Sequence, residues 1–350
     1  METNNTLDKG KISIILPCYK GEKYVAGMMH DIIRQTYTNW ELIVVSNGAG
    51  QEPQLEIINK IAREEGNGKI RVICEEQGGV SHARNIGLRA ATGEWLTFAD
   101  QDDRMDDNHF QLLMNAATDG EWDIVISGFG EDNKISKQKT IGVAYDLCGK
   151  KAKILAESAV WTKLFRTSFV RQSGILFPED RSWGEDGFFT ASLLLLTDRL
   201  KMISTVSYWW VKRSAETGCS RHHPMAERVV KEMKDLRCAL MRQAGCTEEE
   251  IDNYRRTCND GYNLVRNLYR VGSPLTLKEK HRSIQRIVFA DADVCHVLDG
   301  KKVPKHDICL IVYLLTYRMK SAWCMALAFQ LLYGVRNVLV PLYRKIATIE

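Results

Sequence analysis

Three aspartates stand together in the run Asp100-Gln101-Asp102-Asp103, directly after an apolar stretch at residues 94–99. Carboxylates two positions apart in a turn can face one divalent cation and, through that cation, the two phosphates of a nucleotide diphosphate. Mg²⁺ and Mn²⁺ suit such a place because they accept a few hard oxygen ligands and leave further positions to water or phosphate. The pattern is short, however, and a solvated acidic turn that caps a helix at 107–117 explains it equally well.

The elements that must position these carboxylates are visible as two alternating hydrophobic periods over the first 130 residues. Short runs rich in Ile and Val predict strands, and between them apolar residues recur at the spacing of one helix face. Such strands suit a parallel sheet covered by helices on both faces, so the alternation predicts a doubly wound α/β fold. The predicted strands are 11–19, 40–47, 69–76, 94–100 and 122–128, and the predicted helices include 25–33, 55–62 and 80–91.

In a doubly wound sheet, ligands bind beyond the carboxyl ends of the strands. The strand ends of this chain are polar or glycine-rich, so we expect them to converge on one rim that binds the ligand. The first helix opens with neither a GxxxxGK[ST] loop nor a GxGxxG motif. Ordinary ATPase and dinucleotide-binding sites therefore lose their support.

Beyond residue 130 the hydrophobic pattern is looser. Residues 132–153 are polar and predict a loop with one short strand near Val143, followed by a helix at 191–200 and a strand at 201–213. After Pro224 the chain is predicted to be helical to its end. We therefore predict a first domain at 10–223 and a helical C-terminal extension at 224–350.

Five motifs occur in one order along the first domain. They are ILPCY at 15–19 with Glu22, then QTY and ELIVV at 35–45, GGVSHARNIG at 78–87 with ATGEW and the aspartate run, KLF at 163–165, and GED at 184–186 with Phe189. Over about residues 10–215 this series resembles the family 2 glycosyltransferases, which have the GT-A fold. The resemblance implies a GT-A-type doubly wound mixed sheet flanked by helices, to which the C-terminal all-helical extension is added.

The resemblance implies a nucleotide-sugar donor, with Mn²⁺ or Mg²⁺ as a Lewis acid on the leaving phosphates. It places Pro17, Tyr19 and Glu22 in the nucleoside pocket with Arg84 beside it, Asp100 at the ribose or the metal, and Asp102 on the metal itself. Arg213, after the aromatic pair Trp209-Trp210, could reach the diphosphate, although a solvated strand edge is an equal alternative. Trp183 and Glu185 lie in the acceptor-side segment, where Trp183, like Trp161, could stack on a sugar or simply pack.

Asp186 is the candidate general base. It follows Gly184-Glu185 at a predicted junction between a loop and a helix, where the helix N-terminus favours a carboxylate. An acceptor hydroxyl activated by this carboxylate would attack the far side of C1, so we predict a transfer that inverts the anomeric centre. Without the other motifs, Glu185 and Asp186 could simply begin a helix at 188–196.

The second strand departs from the family pattern. Family members usually carry acidic residues at its end, one of which recognises the nucleobase, whereas this chain has Ser46-Asn47-Gly48. Asn47 still offers a hydrogen-bond donor and an acceptor. UDP is the most frequent nucleotide in the family, but the base specificity of this chain stays open.

Two other functions compete with glycosyl transfer. A sugar nucleotidyltransferase would share the α/β sheet and the metal, but it needs a GxGTR-like loop after the first strand, where this chain has PCYKGEKY. A non-catalytic protein that binds nucleotide sugars on a degenerate GT-A scaffold would fit the missing acidic residue. The joint presence of Asp100, Asp102 and Asp186 favours an active enzyme over a degenerate scaffold. The resemblance implies a glycosyltransferase that extends a cell-surface polysaccharide or a lipid-linked oligosaccharide.

Charge and cysteine content bear on location and partners. The ten cysteines form no CxxC pair, and residues 1–11 contain no apolar signal segment, so we predict a cytoplasmic protein. The balance of 48 basic and 44 acidic residues gives no reason to expect a nucleic-acid partner.

Residues 251–350 carry 16 basic and 8 acidic side chains, around apolar runs at 308–317 and 321–335. Both runs are shorter than the ~20 residues that a membrane span needs. They predict helices that lie on the cytoplasmic face of the membrane, or else a helical cover or a dimer contact.

Overall fold

The computed structural model describes residues 7–133, 136–140, 147–148, 159–211, 221–257, 260–299 and 308–347. These residues belong to two compact units. The first comprises Met1–Ser214 and Asp235–Gly245, and the second comprises Ala215–Lys234 and Cys246–Glu350. This division places residues 215–223 in the second unit and residues 235–245 in the first, whereas the sequence-based prediction put the boundary at 223/224.

The first unit is built on one ten-stranded mixed sheet. Its central path has the order β3-β2-β1-β4-β9-β6-β10-β5, while β7 pairs with β6 and β8 with β10. The strands are β1 Asp8–Cys18, β2 Trp40–Asn47, β3 Ile70–Glu75, β4 Gly93–Phe98, β5 Arg104–Met105, β6 Ile124–Asn133, β7 Ser136–Thr140, β8 Leu147–Cys148, β9 Lys163–Arg166 and β10 Leu200–Val211.

The predicted doubly wound half of the sheet is confirmed. Strands β3, β2, β1 and β4 are mutually parallel, so their carboxyl ends lie at the same edge. Ile14 and Leu16 of β1 belong to one buried cluster and Ile15 to another, which explains why the strand is apolar without alternation. The helices of this unit are Val25–Ile33, Glu52–Glu64, Val80–Ala90, His109–Ala117, Thr167–Ser173 and Glu185–Leu194.

The second half of the sheet differs from the prediction. Strand β9 lies antiparallel between β4 and β6, where the sequence pattern indicated no strand. The helix predicted at 191–200 is instead Glu185–Leu194, because the chain must leave the helix before β10 begins at Leu200. The strand predicted near Val143 lies outside the described residues.

The second unit is helical in its described part, as predicted. Its helices are Glu248–Thr257, Asp260–Leu268, Leu277–Ile284, Ala292–Asp299, Ile308–Arg318 and Ala322–Ala347, together with the first part of Ala226–Gln243. One buried cluster joins most of them, and it includes Tyr262, Tyr313 and Phe329. Among the residues described, no helix combines the length and the apolar character that crossing a bilayer requires.

Candidate active site

The carboxyl edge of the parallel strands carries the turn Asp100–Asp103 directly after β4. Gln101 ties this turn to the end of β1, because its Nε2 donates to the backbone oxygen of Tyr19 at 2.9 Å. Gly21 lies beneath this contact, where a Cβ atom would come within 1.9 Å of the Gln101 side chain. The strand ends predicted to converge are therefore in contact at β1 and β4.

Asp103, the third aspartate of the run, is buried and structural. Its two carboxylate oxygens accept from the hydroxyl of Tyr208 and from the backbone N–H of Val211, both at 3.0 Å. The backbone N–H of Asp100 donates to the same Tyr208 hydroxyl at 3.1 Å. Tyr208 is fully buried and stacks on Trp161, with ring centroids 4.5 Å apart. The turn is thus fixed to β10 through one phenol.

Arg84 connects the turn to the candidate base. Its guanidinium donates to Asp100 Oδ1 at 3.0 Å, to Glu185 Oε1 at 3.2 Å and, in the closest of the three contacts, to Asp186 Oδ1. The Arg84 side chain is only 3% exposed, whereas those of Asp186 and Asp100 are 25% and 31% exposed. One buried cation therefore lies between three carboxylates, of which Asp186 and Asp100 are partly open to solvent and Glu185 is buried.

Close packing of a helix against the sheet brings Arg84 to this position. The helix Val80–Ala90 crosses β1 at Gly87, where a Cβ atom would lie 2.3 Å from Ile15 Cγ2. Only glycine permits this approach, since any larger side chain would push the helix away. Arg84 lies on the buried side of the same helix, one turn before Gly87.

Two acids of this cluster, Asp186 and Asp100, have a raised pKa. Burial raises the pKa of Asp186 to about 6, although the charges of Arg84 and Lys163 lower it. Burial also raises the pKa of Asp100 against the effect of Arg84. A carboxyl group with a pKa near 6 is ionised at neutral pH and is a stronger base than an ordinary aspartate. Asp186 therefore has the protonation behaviour that a general base needs.

Asn85, next to Arg84, fixes the chain that leads to the base. Its side-chain amide donates to the Phe177 oxygen and accepts from the Phe177 N–H, both at 2.9 Å. It also donates to Glu179 at 2.9 Å, and Glu179 receives a further contact from His82 Nδ1 at 3.1 Å. The loop before Glu185 is thus fastened to the helix Val80–Ala90 at two residues. The sequence motifs did not indicate this arrangement.

The residues predicted to bind the nucleoside lie at the ends of β1 and β2. Pro17 is buried, while Tyr19 and Glu22 are exposed after the strand. The Tyr19 ring lies against Gly48, whose φ of +85° and close approach both require glycine. Asn47 is buried and uses its amide nitrogen to hold the next strand end, donating to Gln77 O at 3.3 Å and Gly79 O at 2.8 Å.

The carboxylates fit a divalent cation only as a partial site. Among the described residues, no group of three or more His, Cys, Asp or Glu side chains is arranged to hold a metal. Asp100 Oδ1 accepts from Arg84, and in the described part of the chain its second oxygen accepts no hydrogen bond. Two hard carboxylates at Asp100 and Asp102 suit Mg²⁺ or Mn²⁺ when phosphate and water supply the remaining ligands.

The structure brings Arg84, Asp100, Glu185 and Asp186 together, with Asp102 in the adjoining turn. Arg84 contacts the carboxylates, whereas the resemblance implied only a position beside the nucleoside pocket. Trp183 is half-buried just before the base, whereas Trp161 is a core residue under Tyr208. Arg213 lies outside the described residues.

Comparison with known proteins shows similarity of the chain to glycosyltransferases. Residues 13–170 match the family model described as Glycosyl transferase family 2. "Uncharacterized glycosyltransferase EpsJ" of Bacillus subtilis is 27% identical over 290 residues, which cover 78% of this chain and 83% of EpsJ. Poly(ribitol-phosphate) beta-N-acetylglucosaminyltransferase TarS of Staphylococcus aureus is 28% identical over 219 residues, which cover 59% of this chain and 36% of TarS.

Solved structures share the fold. The crystal structure of S. aureus TarS 1–349 in complex with UDP-GlcNAc has a TM-score of 0.59 at 20% identity, covering 91% of this chain and 90% of that one. GalNAc-T7 with UDP, GalNAc and Mn²⁺ has a TM-score of 0.51 at 16% identity, covering 72% of this chain and 57% of that one. The predicted fold, a GT-A-type mixed sheet with a helical extension, is therefore confirmed.

Proposed function

Since the chain carries a family 2 glycosyltransferase domain, we propose that it moves a sugar from a nucleotide-diphosphate donor to an acceptor hydroxyl with inversion. The relatives named as glycosyltransferases favour this enzyme class over nucleotidyl transfer. The observation that carries the proposal is the cluster in which Arg84 joins Asp100, at the donor side, to Asp186. A donor bound beside Asp100 and an acceptor bound beside Asp186 would come together at the Asp186 carboxylate.

Asp186 would take the proton from the acceptor hydroxyl while the hydroxyl oxygen forms its bond to C1 of the sugar. The bond from C1 to the diphosphate oxygen breaks on the opposite side, and the nucleoside diphosphate leaves with the electron pair. Attack and departure on opposite faces invert the anomeric centre. Glu185, which also accepts from Arg84, would stay close to the acceptor side.

Asp102 and Asp100 are the residues that would hold Mn²⁺ or Mg²⁺. Such a cation supplies Lewis-acid stabilisation of the negative charge that develops on the leaving diphosphate. The solved fold neighbour with UDP and Mn²⁺ supports the use of a divalent cation in general terms. On the nucleoside side, Pro17, Tyr19, Glu22 and Asn47 would line the pocket, and Arg213 would contact the diphosphate.

We propose a UDP-sugar as the donor, on the strength of the fold neighbour solved with UDP-GlcNAc. The acceptor would be a saccharide or a lipid-linked saccharide in the synthesis of a cell-surface polysaccharide, with Trp183 on its side of the site. TarS is named for a poly(ribitol-phosphate) acceptor, which supports a polymeric acceptor in general terms. The site would work in the cytoplasm, at the inner face of the membrane.

The test of this function uses nucleotides before any acceptor is known. We expect UDP, more than GDP or dTDP, to raise the thermal unfolding temperature of the full chain in the presence of Mn²⁺, and EDTA to remove most of this shift. A panel of UDP-sugars incubated without acceptor should then release UDP slowly from one of them. Protection by GDP or dTDP instead would show that the donor carries a different nucleobase. Binding without any release of UDP would support the binding-only alternative.

From the buried hydrogen bond between Tyr208 and Asp103 we predict that loss of the Tyr208 hydroxyl weakens metal binding. Tyr208→Phe removes the hydroxyl that holds both Asp103 and the Asp100 backbone, which should lower the unfolding free energy by about 1–3 kcal/mol. Because the turn then loses its anchor, we expect the Mn²⁺ concentration needed for half-maximal UDP protection to rise several-fold. A several-fold change corresponds to about 1 kcal/mol, the contribution of one hydrogen bond.

Tyr269→Phe is the matched control, because the Tyr269 hydroxyl donates to Ala326 O at 2.9 Å within the second unit. It should cost similar stability and leave the Mn²⁺ dependence unchanged. Equal shifts of the Mn²⁺ midpoint in both variants would show that Tyr208 acts only through general stability.

A further inference from the structure

We propose that an apolar stripe on the last helix of the second unit docks on the surface of an anionic membrane. The stripe consists of Trp323, Leu327 and Leu331, which follow one another at intervals of four residues on the helix Ala322–Ala347. These side chains are 46%, 49% and 69% exposed. The inference is independent of the donor and of the chemistry proposed above.

The helix is apolar on both of its faces. Residues 321–335 contain no charged side chain. One face is buried in the core of the second unit, where Met325, Ala326 and Phe329 are fully covered. The solvent-facing side of a surface helix is ordinarily polar, and a helix that is hydrophobic all round ordinarily has partners all round. In the part of the chain that the structure describes, no apolar element covers the stripe.

The preceding helix also exposes large apolar side chains. Ile308–Arg318 exposes Ile308 and Leu315, and Met319 follows it one turn after Leu315. Exposed large apolar residues that occur singly need no explanation, but a concentration of them marks an interaction site. Six of the eleven exposed large hydrophobic side chains of the described chain belong to residues 308–331.

Basic side chains lie beside the stripe. Lys280, which is itself buried, donates from Nζ to Gln330 of the helix Ala322–Ala347 at 3.3 Å, and the His281 ring stacks on Trp323 with centroids 4.0 Å apart. Exposed cations stand at Arg282, Arg318 and Lys320.

The nearby acids are fewer than the cations. Residues 277–282 carry three cations and one acid, Glu279, and residues 308–335 carry two cations and no acid. Glu279 accepts from Thr276 at 2.7 Å, and Asp299 accepts from Tyr317 at 2.8 Å. The border of the stripe thus carries a net positive charge.

This charge pattern favours an anionic membrane over a second copy of the chain as the partner of the stripe. In a two-fold dimer the same patch would face itself, so the excess of cations that borders each stripe would be brought together. Anionic headgroups complement such a border, and the acyl region below them accepts the apolar side chains. Trp323 has the amphipathic ring that is enriched where headgroups meet hydrocarbon. The stripe spans about 12 Å along the helix axis, so the helix would lie in the plane of the surface.

Vesicle binding by the full chain tests the proposal. We expect co-sedimentation with vesicles of phosphatidylglycerol and phosphatidylcholine, little with phosphatidylcholine alone, and weaker binding at high salt. Leu327→Glu/Leu331→Glu should reduce binding to the anionic vesicles by about tenfold or more, since each leucine contributes roughly one order of magnitude to apolar transfer.

The control variant is Leu196→Glu/Val271→Glu. It makes the same change in charge at side chains of similar exposure, 57% and 59%, outside residues 308–331. It should bind vesicles almost as the parent does, apart from a small effect of net charge. Thermal unfolding of both variants checks that they are folded, and UDP protection should be the same in both.

Four results would overturn the proposal. They are absence of binding to anionic vesicles, equal binding to neutral vesicles, equal binding of the two double variants, and a parent dimer that Leu327→Glu/Leu331→Glu converts to a monomer. The last result would assign the stripe to an interface between copies of the chain. None of them would affect the proposed glycosyl transfer, which UDP release measures separately.

Discussion

Asp186→Asn is expected to abolish sugar transfer while leaving the donor bound. The amide keeps the shape of the side chain but has no basic oxygen for the acceptor proton, so the rate should fall by about 10²–10⁴ or more. The donor side, around Asp100 and Asp102, keeps its groups in this variant. The measurement is the initial rate of transfer from the preferred UDP-sugar, beside the shift in unfolding temperature that UDP and Mn²⁺ produce.

Asp180→Asn is a suitable control, because Asp180 is exposed on the loop before the base and pairs with Arg181 at 3.0 Å. It should transfer sugar at close to the parent rate. If Asp186→Asn lost UDP protection and kept its turnover at saturating donor, Asp186 would be a donor ligand and the base would have to be sought elsewhere.

The parent enzyme should also show the titration of this base. With a pKa raised to about 6 by burial, Asp186 is mostly protonated below that pH and mostly ionised above it. Because only the ionised form accepts a proton, kcat/KM should rise through about pH 6 and fall roughly tenfold per pH unit below it. An ordinary exposed aspartate would place this rise near pH 4.

The parallel part of the fold could be predicted from the sequence because its strands are buried on both faces. Their Ile- and Val-rich runs are long enough to be recognised, and β2 begins and ends at the predicted residues. Strand β9 was missed because it has four residues, with Lys163 and Arg166 at its ends. Its position between β4 and β6 comes from pairing with distant strands, which leaves no local period.

The candidate site was predictable in its residues but not in its connections. The motifs indicated Arg84, Asp100 and Asp186 separately, as a pocket residue, a metal or ribose ligand and a base. The contacts that join them link positions 16 and 102 residues apart, which no spacing rule reveals. A cue was present nonetheless, since Arg84 stands between small residues on the helix face that packs on the sheet.

Removal of Arg84 is the second change for which we expect a large effect. Arg84→Gln leaves Asp100, Glu185 and Asp186 facing one another without their shared cation. Taking one partner from a buried ion pair costs about 3–5 kcal/mol, because the remaining charges are left uncompensated. The free energy of unfolding at pH 7, measured with urea, should fall by about that amount.

The pH dependence distinguishes this effect from a packing defect. Without the guanidinium, the pKa values of Asp100 and Asp186 rise further in the folded state, so folded Arg84→Gln binds more protons than its unfolded chain above about pH 4. Its stability deficit should therefore be largest near neutral pH and shrink toward pH 5. A packing defect would give a deficit that does not change with pH.

Catalysis provides the last discrimination. The charge of Arg84 lowers the pKa of Asp186, so in Arg84→Gln the rise of kcat/KM should move to a pH above 6. Arg84→Lys keeps one positive charge but not the planar fork that reaches three carboxylates. The pH at which its kcat/KM rises should therefore lie between those of Arg84→Gln and the parent. Arg89→Gln, an exposed change on the same helix, should leave the profile unmoved. An unshifted profile in Arg84→Gln would mean that Arg84 serves the fold alone, and that the proton affinity of the base is set by burial without it.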